Sequence, residues 1–115
     1  MKISELLAYK QDIDTICKQN PTFPTKITYT IAVNKKRIID ALIPFGETQK
    51  VLFAKYADGN TKIETANPNY QKFIKELDSL LEEEVDVEIG KFSIDDLKVD
   101  EIDLETMNAM MFMVE

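Results

Sequence analysis

The sequence predicts a mainly helical α+β fold: a helical hairpin or bundle that carries a small antiparallel β-hairpin. Three features indicate this class: long apolar stripes at helical spacing, one short run in which acidic and apolar residues alternate, and a C-terminal segment apolar on nearly every side. The chain has 115 residues, of which 44% are hydrophobic and 30% charged, and this is enough for one hydrophobic core. We therefore expect residues 1–115 to form a single domain.

Residues 3–18 are predicted to form the first helix, because their apolar residues fall broadly on one helical face. These are Leu6, Leu7, Tyr9, Ile13, Ile16 and Cys17. Pro21 and Pro24 then interrupt the pattern. Cys17 is the only cysteine, so the chain can form no internal disulfide and no cysteine-based zinc motif. We expect Cys17 to pack as a small hydrophobic residue rather than to act as a reactive thiol.

A second, longer helix is predicted from Ile27 to Tyr56. Its stripe contains Ile31, Ile38, Leu42, Phe45 and Leu52, with Asn34 filling one turn. Pro44 lies inside this run, and proline removes one helical hydrogen bond and clashes with the preceding turn. We therefore expect a kink or a break near residues 40–46, and we favour one kinked helix because the stripe keeps its phase. The turn sequence at residues 58–60, Asp-Gly-Asn, should end the helix.

The third helix has the clearest sequence signal. Asn67 precedes Pro68, which is the order expected of an N-cap residue followed by a proline at the first helical position. The apolar stripe that follows consists of Tyr70, Phe73, Ile74, Leu77, Leu80 and Leu81. We expect one face of this helix to pack against the rest of the fold.

Residues 84–89 change from helical spacing to alternation. Val85, Val87 and Ile89 alternate with acidic residues, as in a strand with one solvated face, and Gly90 should end it. A second extended segment at residues 98–102 could pair with it to form the β-hairpin. The sequence also allows residues 92–97 to form a helical turn capped by Ser93.

The C-terminal segment is predicted to form a helix that begins at the N-cap residue Asp103 and continues to residue 114. Since its apolar residues occupy nearly every side, this helix should be covered on more than one flank. Methionine-rich surfaces adapt to irregular partners, so the segment could form part of the core or a protein interface. The candidate apolar partner-binding residues are Leu104, Met107, Met110, Met111, Phe112 and Val114.

The net charge of −7 is unevenly distributed. Residues 1–75 contain 12 basic and 7 acidic residues, whereas residues 76–115 contain 2 basic and 14 acidic residues. The two parts could face each other, or the acidic part could meet a basic partner by imitating a phosphate backbone. The candidate acidic partner-binding residues are Glu82, Glu83, Glu84, Asp86, Glu88, Asp95, Asp96, Asp100 and Glu101.

The residue types present argue against catalysis. The chain has no histidine, which excludes serine and cysteine nucleophiles activated by histidine. Its three glycines are isolated, so there is no phosphate-binding loop, and residues 58–60 lack the spacing of a calcium loop. We interpret the acidic run as a solvated face, so we expect no metal site, no cofactor and no enzyme activity. The basic cluster at residues 35–37 is a weak candidate for nucleic-acid binding, because the net charge opposes it.

No segment of the sequence is long and apolar enough to predict a membrane span. The longest stretch without a charged residue, Thr106–Val114, is about half the roughly 20 residues that a transmembrane helix requires. Charged residues also interrupt the N-terminal region, where a signal peptide would need an apolar run. We therefore expect a cytosolic protein.

Four segments, taken in order, resemble a small family of phage and prophage proteins of unknown function. They are residues 35–45 (KKRIIDALIPF), 51–60 (VLFAKYADGN), 73–89 (FIKELDSLLEEEVDVEI) and 103–115 (DLETMNAMMFMVE). The resemblance covers roughly residues 27–115 and lies in the order and spacing of the elements. It implies a mainly helical phage protein in the host cytoplasm or associated with the virion, and it supplies no active site.

Two functions are therefore expected from the sequence. The first is a non-enzymatic phage protein, structural or accessory, that binds a protein partner or itself through its apolar C-terminal helix. The alternative is an anti-defence inhibitor, similar in role to an anti-CRISPR protein, that blocks a host nucleic-acid-binding enzyme with its acidic segment.

Overall fold

The fold is mainly helical, as the sequence predicts. The computed structural model describes residues 1–19, 21–99 and 101–115. Within these residues, the α-helices are α1 (Ile3–Gln19), α2 (Thr25–Ala57), α3 (Pro68–Leu81) and α4 (Leu104–Met110). Short 3₁₀ turns lie at Ile94–Leu97 and Met111–Met113.

Helix α2 is the longest helix, and both core clusters form along it. Its 33 residues continue through Pro44 without interruption, so the proline does not end the helix. Helix α1 packs against the first part of α2 in antiparallel orientation, since Ile16 shares a cluster with Ile27 whereas Leu6 shares one with Leu42. Helix α3 packs against the second part, where Lys55 of α2 pairs with Glu76 at 3.4 Å. The result is an elongated molecule of 54 × 26 × 18 Å.

Two apolar clusters form the core along α2. The first lies at the N-terminal end of the helix and joins Ile27 and Ile31 to α1 and to the C-terminal residues Met110 and Met113. The second lies further along the helix and joins Ile38 and Phe45 to the other end of α1 and to α3. Ile89 and Phe112 contact both clusters and connect them.

The sequence predicts correctly how α3 begins and how α2 ends. The side chain of Asn67 accepts a hydrogen bond from the backbone N–H of Asn69 at 2.9 Å, and Pro68 begins α3. After α2, Asp58 and Gly59 adopt positive φ angles of 53° and 82°, the left-handed conformation that ends a helix. These caps depend on local sequence alone, which is why the sequence reveals them.

The predicted β-hairpin is wrong. Residues 85–91 belong to no helix or strand, and the described part of the chain contains only isolated bridges, between Lys2 and Glu84 and between Phe92 and Val114. Within 98–102, the described residues form no strand, and Asp100 lies outside the described residues. The alternative prediction is confirmed, because residues 94–97 form a 3₁₀ turn in which the Ser93 hydroxyl accepts a hydrogen bond from the Asp95 N–H.

Side chains of α2 replace the missing strand partner. Asn34 donates its Nδ2 to the carbonyl of Gly90 at 3.0 Å and accepts the Gly90 N–H on its Oδ1 at 2.7 Å. Arg37 donates to the carbonyl of Glu88 at 3.3 Å. Backbone polar groups that leave water need partners, and here a helix supplies several of them. We call residues 84–90 the acidic strap.

Two further expectations need correction. The C-terminal α-helix ends at Met110, and a 3₁₀ turn replaces its predicted last turn. Cys17 is exposed rather than packed in the core, because the buried side of α1 is formed by Ile13 and Ile16.

Candidate interaction surfaces

The six C-terminal apolar candidates do not form one surface. Met110 is fully buried, so it cannot contact a partner in this conformation. Phe112 stacks on Tyr9 with ring centroids 4.3 Å apart, and Val114 forms a bridge with Phe92. These three residues hold the C-terminus in the fold.

Of the remaining three candidates, Leu104 and Met111 point outward, whereas Met107 packs partly against the first core cluster. Leu104 is 76% exposed, Met111 is 54% exposed and Met107 is half-buried. Residues 104 and 111 are two helical turns apart, so they lie on the same side of the segment. We call Leu104, Met107 and Met111 the C-terminal apolar surface. The segment therefore has one side in the core and another in solvent.

The C-terminal segment is held firmly. Asp103 caps α4 by accepting hydrogen bonds from the Thr106 N–H at 2.8 Å and from the Thr106 hydroxyl at 2.9 Å. These two hydrogen bonds, the backbone one first, lower the pKa of Asp103. Lys91 donates its ammonium to the carbonyl of Phe112, and Gln19 donates to Glu105 at 3.0 Å. The outward residues are thus presented on an anchored element.

The acidic candidates fall into two groups. In the strap, Glu84, Asp86 and Glu88 are exposed, whereas the alternating Val85, Val87 and Ile89 pack against the core. Asp95 and Glu101 are exposed in the region that follows, and Asp100 lies outside the described residues. The acidic face of the alternating segment is therefore present although its strand partner is not.

The chain itself neutralises part of the acidic set. Lys2 pairs with Glu82 at 2.7 Å, and Lys26 pairs with Asp96 at 3.5 Å. The N-terminal amine binds Glu84 at 2.7 Å, and this hydrogen bond lowers the pKa of Glu84 and raises that of the amine. Glu83, Asp86 and Glu88 have no ion pair with any described residue.

The basic cluster also serves the fold. Lys36 pairs with Asp40 one turn later at 3.1 Å, and Arg37 holds the strap through the Glu88 carbonyl. Within the described part of the chain, the Lys35 ammonium has no polar contact. This arrangement leaves little free positive charge for a phosphate backbone.

A second apolar surface, on the side of α2 away from α1 and α3, is missing from the sequence predictions. Tyr29 is 70% exposed, Ile43 52% and Ile39 38%. We call these three residues the α2 outer face. Val51, 71% exposed, lies on another side of the same helix. The signal is present in the sequence, because residues 29, 39 and 43 fall outside the stripe that enters the core.

Metal-binding clusters and membrane spans are not found in the parts described. Residues 1–19, 21–99 and 101–115 contain no group of three or more cysteine or acidic side chains placed to hold a metal ion. No described helix combines the length and the apolar character needed to cross a membrane. No family model matches the chain, and comparisons with curated proteins and with solved structures give no match.

Proposed function

We propose that this chain is a non-enzymatic interaction module of a phage or prophage, which binds another protein through the C-terminal apolar surface. The observation that carries the proposal is the exposure of Leu104 and Met111 on a segment whose other side is fixed in the core. The proposal places the protein in the host cytoplasm or on the virion.

The energetics favour binding at this surface. Burying a large apolar side chain contributes about 1.5–3 kcal/mol, so Leu104 and Met111 together could supply much of the free energy of a modest interface. The capped α4 and the Tyr9–Phe112 stack already order the segment, so a partner need not supply that ordering entropy. Methionine can also adjust its shape to the groove it enters.

The composition supports a binding role over catalysis. The absence of histidine removes the usual general base, and the described carboxylates of the strap face solvent rather than a cleft. Binding needs only surface complementarity, which these residues can provide.

Affinity capture from the natural host tests the proposal. We expect the wild-type chain to retain a defined protein and Met111→Glu to lose it, because an unpaired carboxylate would enter an apolar interface. Val51→Glu is the matched control, since it adds the same charge at an exposed aliphatic site on another helix. Capture that survives both Met111→Glu and Leu104→Glu would overturn the proposal.

The second candidate function, acidic inhibition of a host nucleic-acid enzyme, is supported by the strap. Alternate residues of an extended chain are about 6.6 Å apart, so Glu84, Asp86 and Glu88 form a row of exposed charges. One DNA strand carries a charge every ~3.4 Å along its axis, so the row has about half that density. This difference, together with the neutralised Glu84, is why we place this function second.

Salt dependence separates the two functions. An acidic mimic should bind its target with an affinity that falls steeply as ionic strength rises, and the double substitution Asp86→Lys with Glu88→Lys should abolish inhibition. Binding through the C-terminal apolar surface should change little with salt. Capture that is insensitive to salt and to this double substitution would reject the acidic function.

A further inference from the structure

Helix α2 carries a second stripe, distinct from the one that enters the core. Its members are alternately three and four residues apart, close to the spacing of 3.5 residues that characterises paired helices. They are Tyr29, Ala32, Lys36, Ile39, Ile43, Gly46, Lys50 and Phe53. Ile39 and Ile43 lie at its centre, 38% and 52% exposed. Among the described residues, α3 contacts only the far end of this stripe, where Phe73 meets Phe53 edge to face with ring centroids 6.0 Å apart. Tyr29, Ile39 and Ile43 remain exposed.

The stripe is symmetric about its own centre. Ile39 and Ile43 are equidistant from residue 41, and so are Lys36 and Gly46. If two copies of α2 lie antiparallel about that point, Ile39 of each copy meets Ile43 of the other, and each Lys36 lies across from a glycine.

The outer members of the stripe match in the same way. Ala32 and Lys50 are equidistant from residue 41, as are Tyr29 and Phe53. Each lysine would therefore face a small residue, which leaves room for its stem to cross the interface and its ammonium to reach water. Each aromatic residue would face another aromatic residue.

We propose that the α2 outer face binds a second copy of this chain, and that two α2 helices pair antiparallel about residue 41 in a two-fold symmetric dimer. In a two-fold symmetric dimer both copies use the same surface, so that surface must be complementary to itself. The order of residues in the stripe meets this condition. This inference does not depend on the C-terminal apolar surface.

Three local observations support a second copy as the occupant. Tyr29 is 70% exposed, and its expected opposite, Phe53, borders a depression of about 400 Å³ that Gly46 and Phe73 also line. A methyl group added at Gly46 would meet nothing within 4 Å, so the packing of one chain does not require glycine there. Glycine in a helix costs about 1 kcal/mol relative to alanine, and a closely approaching partner helix gives a reason for it.

The charges agree with the antiparallel arrangement. Glu47 has no ion-pair partner among the described residues, and Lys36 lies on the same side of the helix with only Asp40 as a partner. In the antiparallel pair, Lys36 of one copy lies beside Glu47 of the other, and this contact occurs twice. In a parallel pair at the same register, Lys36 would face Lys36.

The size of the surface sets the expected strength. The stripe spans 24 residue steps, or about 36 Å at 1.5 Å per residue, with a width near 10 Å. About 360 Å² per copy is less than half of the ~800 Å² per partner that stable complexes usually bury, so the size fits a weak, transient interface. We therefore expect a dimer that dissociates in the range of about 0.1–1 mM.

Sedimentation velocity of the full chain over a range of concentrations tests the proposal. We expect a monomer–dimer equilibrium for the wild type and a Kd at least tenfold higher for Ile39→Glu with Ile43→Glu. Because both positions are exposed, circular dichroism should show that this variant keeps its helical content. Val51→Glu, exposed but outside the stripe, should dimerise normally, as should Met111→Glu.

Two further measurements test the orientation. Lys36→Glu should weaken the dimer, and adding Glu47→Lys should restore it, whereas neither effect is expected for a parallel pair. Spin labels at residue 54, introduced as Ala54→Cys in a Cys17→Ser background, should be roughly 40 Å apart in the antiparallel dimer and much closer in a parallel one. A monomer at every concentration up to millimolar, a dimer indifferent to the isoleucine substitutions, or closely spaced labels would overturn the proposal.

Discussion

Asn34 is the residue on which the acidic strap most depends. It is fully buried, and its amide forms both hydrogen bonds to the Gly90 backbone. A Cβ added at Gly90 would lie 3.3 Å from the Asn34 Oδ1 and from the Thr30 methyl group, so the backbone approaches α2 closely at this point. Asn34 therefore makes two of the three side-chain hydrogen bonds by which α2 holds the strap, and Arg37 makes the third.

We expect Asn34→Ala to lower the free energy of unfolding by about 2 kcal/mol, because it leaves the partly buried N–H and C=O of Gly90 without partners. In a chain of this size that corresponds to a decrease in Tm of roughly 8 °C. Thermal unfolding followed by circular dichroism measures the change. Lys35→Ala, at the neighbouring exposed position, is the control. Equal Tm values for the two variants would contradict this role of Asn34.

The stability that the Asp103 cap gives to the C-terminal helix depends on pH. Its pKa in the folded state is lowered from the ordinary 3.8 by the hydrogen bonds from Thr106. The cap therefore contributes its full stability above about pH 3.8 and loses it as the pH falls through the lower folded-state pKa. The affected window lies entirely on the acid side.

Thr106→Val should raise the pKa of Asp103 part of the way to its ordinary value. Valine removes the hydroxyl donor but keeps the backbone N–H that makes the larger contribution. Carboxyl chemical shifts followed by NMR during a pH titration give the pKa directly. Thr48→Val, on the exposed side of α2, provides the comparison. If the pKa of Asp103 is the same in both variants, the hydroxyl does not stabilise the carboxylate.

The elements differ in how much of them can be predicted from sequence. Helices α1 and α3 have local signals, an apolar stripe for α1 and a cap with a stripe for α3. The strap has a strand-like sequence, but the partners of its backbone lie on α2, more than 50 residues earlier. Alternation reports that one side of a segment is buried and does not report what pairs with its edge. For that reason the hairpin prediction fails while the solvent-facing side is correct.

The candidate surfaces were predictable to different degrees for a similar reason. Local sequence shows that residues 104–114 are apolar, but only long-range packing against α1 and α2 decides that Met110 enters the core while Leu104 does not. The α2 outer face is not predicted, because the apolar stripe that enters the core is enough to predict the helix. The apolar residues outside that stripe, Tyr29, Ile39 and Ile43, are the signal that a second contact should be sought.

Pro44 lies in the interior of α2, where proline is unfavourable. Proline removes the hydrogen bond to the carbonyl four residues earlier and costs up to about 3 kcal/mol in a helix interior. Since the helix continues through Pro44, which is exposed, alanine can restore that bond without disturbing the core. We expect Pro44→Ala to raise the free energy of unfolding by about 1–3 kcal/mol.

Chemical denaturation of Pro44→Ala and Gly46→Ala, each at a concentration where the chain is monomeric, measures the effect. Gly46→Ala should add about 1 kcal/mol through propensity alone, because nothing lies within 4 Å of the new methyl group. The proline replacement should exceed it. A smaller gain for Pro44→Ala would mean that the helix has already relaxed around the proline.

At the scale of the whole molecule, the charge asymmetry is partly resolved within the chain. The pairs Lys2–Glu82, Lys26–Asp96 and Lys55–Glu76 each join the basic part to the acidic part. Exposed pairs of this kind contribute little to the free energy of unfolding. Their effect is to neutralise part of the acidic surface within the chain. The acidic groups that remain unpaired keep the surface negative.

The shape is unusual for the length of the chain. The radius of gyration is 17.7 Å, whereas a compact domain of this length is expected to have about 13 Å. The extension arises because α1, α4 and the strap cover only the first part of α2, and α3 alone covers the last part. The two ends of the molecule therefore differ in thickness.

This difference should appear in local stability. Helix α3 contains no fully buried residue, and its Phe73 meets Phe53 edge to face at the thin end. Segments with few buried contacts open at lower free energy than the core. Native-state hydrogen exchange should therefore show amides of α3 and of residues 48–57 exchanging at least tenfold faster than those of residues 27–42. The measurement should be made on dilute protein, because a second copy on the α2 outer face would also protect residues near Phe53. Uniform protection along α2 would show instead that α3 unfolds only together with the whole domain. In that case the packing of α3 against the last part of α2 would be as stable as the rest of the core.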